Sequence, residues 1–176
     1  MWGWLCFILL WIPGSLIGQQ WTVDSSHIAF KIKNAGVLVD GSFEGLDLQM
    51  IFDPYALENA QIKASIEASS VDTGIRIRDK HLCRSDYFNS ADFPRITLVS
   101  LGFQQTGSNE YLGAFFLNLK GEQRQITFPF TCSLKDKQAL LQGSFQIDRR
   151  DYHIGGNSII LEDKVTVEIW VKAHKK

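Results

Sequence analysis

Cysteine is scarce in this chain, with three among 176 residues, and none stands in a Cys/His spacing that suggests a zinc site. Excess charge of one sign is missing too. The 18 Lys and Arg are balanced by 19 Asp and Glu, which argues against a nucleic-acid partner because a phosphate backbone calls for a basic surface. Low-complexity runs, internal repeats and composition breaks are absent, so a single domain is the natural reading. There is no nucleophile-elbow motif, and His81 and Cys83 stand two residues apart, a spacing that points side chains in different directions on a helix. Catalysis is not expected, and no metal, nucleotide or redox cofactor is implied.

Long apolar runs are also lacking, except at the start. Trp2 to Ile12 is uncharged and apolar, and Pro13 and Gly14 close the run. That is the length of a signal-peptide core and too short for a spanning helix. Residues 1–18 are therefore read as a signal peptide cut near Gly18 or Gln19, and residues 19–176 as the mature domain, with an uncleaved anchor as the alternative. The expected destination is the periplasm or the cell exterior, with no membrane span after processing. Cys6 lacks the small-residue context of a lipoprotein acylation site. Cys83 and Cys132 would then meet an oxidising compartment, where free thiols are the simpler reading and a disulfide the alternative.

What is present is alternation. Ile28, Phe30 and Ile32 alternate with Ala29, Lys31 and Lys33, the period of two that a half-buried strand requires. The pattern recurs through Leu46, Leu48, Met50 and Phe52, through Ile62 to Ala68, and through Tyr111, Gly113, Phe115, Leu117 and Leu119. It continues in Ile126, Phe128, Phe130 and Cys132, in the run "ALLQGSFQID", and in Val165 to Val171. Short turns join these runs. About eight antiparallel strands with one apolar face each must stack or close on themselves, and closure alone removes exposed edges. The expected fold is an all-β antiparallel barrel of about eight strands, with a short helical insertion near residues 76–90.

That insertion, "SVDTGIRIRDKHLCRSDYFNSADFPRITLVS", interrupts the alternation with a crowd of polar side chains. It also carries the clearest family likeness. Together with "WTVDSSHIAFKIKN", "GSFEGLDLQMIFDP", "NLKGEQRQITFPF", "FQIDRRDYHIGG" and "LEDKVTVEIWVKA", it makes residues 21–174 resemble the YceI-like family of periplasmic and secreted lipocalin-like barrels associated with polyisoprenoids and other long-chain lipids.

The resemblance implies a lumen that takes a long apolar chain. Its wall would be Ile28, Phe30, Ile32 and Leu48 from the first half of the chain and Phe115, Leu117, Phe128, Phe130 and Phe145 from the second. Leu82, Tyr87 and Phe88 would plug the barrel. Arg76, Arg78, His81 and Arg84 would border its opening and meet a phosphate or carboxylate head group. The plainer reading of the same basic residues is that they pair with neighbouring carboxylates, Arg78 beside Asp79 and Arg84 near Asp86, cap the helix or satisfy buried carbonyls, and the plainer reading of "RRDYHIGG" is turn chemistry. The implied partner is an isoprenoid or other lipid, and assembly into a homodimer is left open. Two other functions stay in view: an envelope interaction module built on a filled barrel, and an enzyme acting on prenyl or acyl substrates.

Overall fold

In the structure, a computed structural model that describes residues 21–175, the alternating runs become nine strands. The proposed signal peptide lies outside the described residues. In chain order the strands are β1 (Trp21–Asn34), β2 (Val37–Phe43), β3 (Asp47–Ile51), β4 (Gln61–Glu67), β5 (Arg95–Gln105), β6 (Glu110–Leu119), β7 (Glu122–Lys135), β8 (Gln138–Asp148) and β9 (Lys164–Lys175). They form one sheet in the order β2-β1-β9-β8-β7-β6-β5-β4-β3, and every neighbouring pair is antiparallel.

The two edges of that sheet are consecutive in sequence. β2 and β3 run in the same sense with only Glu44–Leu46 between them. They are successive halves of one bent stave whose first half bonds to β1 and whose second half bonds to β4. The nine ladder strands thus build eight staves, as the alternation led us to expect, and the sheet curls until β1 and β3 approach each other.

Antiparallel order places the β1–β2 turn, residues 68–94, the β6–β7 turn and residues 149–163 at one end, here called the upper end. The lower end is packed solid. Tyr111 and Ala173 are wholly buried there, Ala139 faces Ala173 across the β8–β9 ladder, and Phe52 meets Tyr111 and Phe130 edge-on at 5.0 and 6.2 Å between ring centroids. Aromatic rings also press against bare backbone. A Cβ at Gly113 would sit 2.4 Å from the Phe115 ring and one at Gly41 would sit 2.5 Å from that of Phe30, so no larger residue fits beneath either ring.

Two strands run out of phase with a strict period, because each holds an irregularity. The β1–β9 register shifts between Val23 and Ser25, and the β5–β6 register shifts between Ser100 and Gly102. An extra residue resets which side chains face inward, so alternation reads cleanly only from His27 onward in β1. β2 shows little alternation at all, since Gly41 takes an inward place while Val37 and Leu38 are exposed.

The helical insertion is present and short. α1 covers Arg76–Leu82, and Cys83 ends it by donating its backbone N–H to Asp79 O. Residues 83–93 continue as turns, with Phe88 N–H bonded to Leu82 O and Asn89 N–H to Arg84 O.

Candidate functional site

Above the packed lower end the barrel encloses a cavity of about 350 Å³. All nine lumen positions named from the sequence line it: Ile28, Phe30 and Ile32 on β1, Leu48 on β3, Phe115 and Leu117 on β6, Phe128 and Phe130 on β7, and Phe145 on β8. Phe115 stacks on Phe128 at 4.9 Å, and Phe128 on Phe145 at 4.6 Å, so three strands share one continuous aromatic wall. β5 and β9 add Ile96, Leu98, Val167 and Ile169. A lining of this kind gains free energy by removing an apolar chain from water and offers it no hydrogen bond to lose.

Polar side chains gather at the upper end. Arg78, His81 and Leu82 share a helix face by their spacing of three and four, and all three line the cavity. Arg78 is held in place by its own turn. Its Nε donates to Thr73 Oγ1 at 2.7 Å and its Nη2 to Thr73 O at 2.8 Å, while Asp79 accepts from the Thr73 backbone N–H at 2.9 Å. Among the described residues Arg78 forms no direct ion pair, and the Asp79 carboxylate reaches this half-buried guanidinium only through the Thr73 hydroxyl, which donates to Asp79 Oδ1 and accepts from Arg78 Nε. His81 packs edge-on to Tyr87 at 4.9 Å. Phe88 sits across the top, edge-on to Phe43 at 5.3 Å and to Phe30 at 6.5 Å.

The sequence grouped four basic residues at the rim, and the structure brings only two of them to the cavity. Arg76 and Arg84 are exposed and outside its lining. The carbonyl-satisfying role weighed for these bases applies in part to Arg78 through Thr73 O.

The other wall of the upper end depends on Arg149, which is buried to 1% exposure. Its Nε donates to Glu162 O, its Nη1 to Ile154 O and Gly156 O, and its Nη2 to Leu161 O and to Asp163 Oδ1. Those bonds use all five donors of a guanidinium. They fold residues 150–163 into a strap that carries Ile154 and Leu161 to the cavity, with His153, Gly155 and Gly156 in left-handed conformations. The turn chemistry read from "RRDYHIGG" is what the structure contains. Gly155 N–H donates to Asp86 O at 2.7 Å and so ties the strap to the helical insertion.

Sequence reasoning passed over Arg149 although a signal was there. Leu141, Gly143, Phe145 and Ile147 are the inward positions of β8, and Arg149 continues their parity. Cys83 and Cys132 are free thiols, the first half-buried near the helix and the second buried in β7. Burial pushes the Cys132 thiol and the Tyr152 hydroxyl up to about 12 and raises Tyr111 as well. Among the described residues no group of three or more His, Cys, Asp or Glu side chains could hold a metal ion.

Comparison with known proteins adds a family and a fold. The model of the YceI-like domain matches residues 21–173. The protein YceI of Salmonella arizonae is 26% identical over 162 residues, which span 83% of this chain and 82% of that one. UPF0312 proteins of Shewanella denitrificans and Staphylococcus epidermidis are 27% and 36% identical over 123 and 104 residues, or 67% and 58% of this chain. Those two matches span 64% and 58% of the relatives' own lengths. Among solved structures, BcnA of Burkholderia cenocepacia superposes with a TM-score of 0.81 at 24% identity, over 86% of this chain and 99% of that one. A polyisoprenoid binding domain from Saccharophagus degradans, implicated in plant cell wall breakdown, superposes with a TM-score of 0.73 at 18% identity, over 90% of this chain and 99% of that domain.

Proposed function

This chain belongs to the YceI-like family, and we propose that it is an exported carrier that holds one long-chain apolar molecule, such as a polyisoprenoid, inside the barrel. The observation that carries this reading is the cavity, whose volume of about 350 Å³ falls in the range of small-molecule sites and whose wall is predominantly apolar, with Ser65, Thr97 and Gln142 among its few polar strand positions. An eight-staved barrel is wide enough for a slender ligand and too narrow for a bulky one. The polyisoprenoid-binding neighbour shares the fold and supports the ligand class. The chain would lie along the wall of Phe115, Phe128 and Phe145, and an anionic or hydroxyl head would rest at Arg78 and His81. Arg76 and Arg84 stand outside that contact. Export is supported by the apolar run from Trp2 to Ile12, and no helix among the described residues is long and apolar enough to cross a membrane.

The test is organic extraction of the protein purified from its natural source, followed by mass spectrometry and by titration of the stripped protein with a fluorescent prenyl alcohol. A polyisoprenoid or acyl chain near one per barrel, and saturable rebinding, are expected. Empty extracts together with no saturable binding would overturn the reading.

A further inference from the structure

We propose that the upper end of the barrel docks on the surface of a lipid bilayer, so that a ligand passes between bilayer and cavity without crossing water; this rests on the carrier reading for its purpose. Nine large apolar side chains are exposed among the described residues, and six of them, Val37, Leu38, Ile75, Ile77, Ile159 and Ile160, stand at the upper end. Tyr55, Val99 and Leu101 are elsewhere. Exposure of this kind concentrated at one end of a barrel calls for a partner surface.

The six come from three separate segments. Ala35 N–H donates to Ile160 O at 2.7 Å and holds the β1–β2 turn against the strap, while the strap is joined to the helical insertion through Gly155 and Asp86. Apolar tips on a common end, with no packed neighbours, suit the yielding interface of a bilayer better than the shaped surface of a protein. Charge favours the same occupant. Arg76, Lys80 and Arg84 are exposed and belong to no ion pair among the described residues, and Arg76 stands between Ile75 and Ile77. Asp40, Asp72, Asp86, Asp92 and Asp151 are exposed at this end as well, so apolar insertion carries the attachment and anionic lipid adds to it only locally, where Arg76, Lys80 and Arg84 cluster.

The experiment is co-sedimentation of the protein with vesicles of phosphatidylcholine, with and without phosphatidylglycerol. Ile77 and Ile159 are 84% and 101% exposed, so the double variant Ile77→Glu, Ile159→Glu leaves the core intact. Val99→Glu, Leu101→Glu on the outer face of β5 is the control. The wild type and the control should bind both vesicles, more strongly with phosphatidylglycerol, and the Ile77, Ile159 variant should lose about tenfold or more in partition. Equal binding by all three proteins, as attachment through Trp2–Ile12 would give, overturns the proposal, as does a wild type that does not bind. Self-association without vesicles that the Ile77, Ile159 variant abolishes would make this face an interface between copies, and overturns it too. A wild type that binds vesicles but no fluorescent prenyl alcohol keeps the docking surface and fails the carrier reading, which separates the two.

Discussion

Arg149 Nη2 and Asp163 Oδ1 meet at 2.8 Å, with the arginine side chain 2% exposed and the aspartate 39%. The carboxylate takes one bond of this guanidinium, and the other four go to backbone carbonyls of the strap. Arg149→Met strands those carbonyls and should lower stability by about 3–5 kcal/mol. Asp163→Asn keeps an acceptor in place and should cost about 1 kcal/mol. Urea denaturation of both variants measures the difference. Equal losses would make the ion pair, rather than the carbonyl cradle, the main support.

Cavity wall and polar end should be separable by ligand. Leu117 faces the cavity from β6, and Leu117→Trp should fill space that any long chain needs, weakening a prenyl alcohol and its phosphate alike. Arg78→Met should weaken the phosphate by about 1–3 kcal/mol more than the alcohol, because one charge-assisted contact is lost. Fluorescence titration reads both affinities, and thermal melting shows that each variant is folded. An equal loss for both ligands in Arg78→Met would remove the head-group role.

Alkaline pH should destabilise the barrel in two overlapping steps. Burial pushes Cys132 from 9.0 and Tyr152 from 10.0 up to about 12, so at intermediate pH each group keeps in the folded state a proton that it gives up on unfolding. Stability from both is complete below pH 9.0 and falls as pH rises towards 12, by about 1.4 kcal/mol per pH unit for each group that is titrating. Tyr152→Phe should remove the upper part of that slope, and Cys132→Val should remove the part that begins first. Urea midpoints measured across the range check both.

Tyr111 offers a stabilising change. Its hydroxyl is buried in the lower end with no hydrogen-bond partner, and burial raises its pKa. Tyr111→Phe removes an unsatisfied polar atom and keeps the ring against Phe52 and Phe130, so a gain of about 1 kcal/mol is expected by thermal melting. A loss would reveal a bond made through water.

Much of the fold was legible because a period of two is a direct image of a sheet with one dry face. Parity put Phe115, Phe128 and Phe145 on dry faces, and the family resemblance made those faces the wall of a lumen. β2 was not legible, because an inward glycine and the exposure of both Val37 and Leu38 at its start erase its alternation. The basic cluster was legible as composition and not as geometry. Sequence spacing shows Arg76, Arg78, His81 and Arg84 as neighbours, whereas one turn of helix sends Arg78 and His81 to the cavity and leaves Arg76 in solvent. Arg149 was hidden by its chemistry, since an arginine beside a second arginine reads as surface until its carbonyl partners are in view.

The position of β9 between β1 and β8 sets an order on folding. Trp21 pairs with Lys175, so the first described strand finds its inner partner only when nearly the whole chain has been made. Contacts of such sequence separation close slowly. Until Lys164–Lys175 arrives, β1 and β8 each present an unpaired edge, and the apolar rows behind them face water. A nascent chain that stops short of residue 164 is therefore a sheet open at its centre rather than at its ends. Such a chain invites a chaperone to cover the gap, or another copy to supply the missing strand.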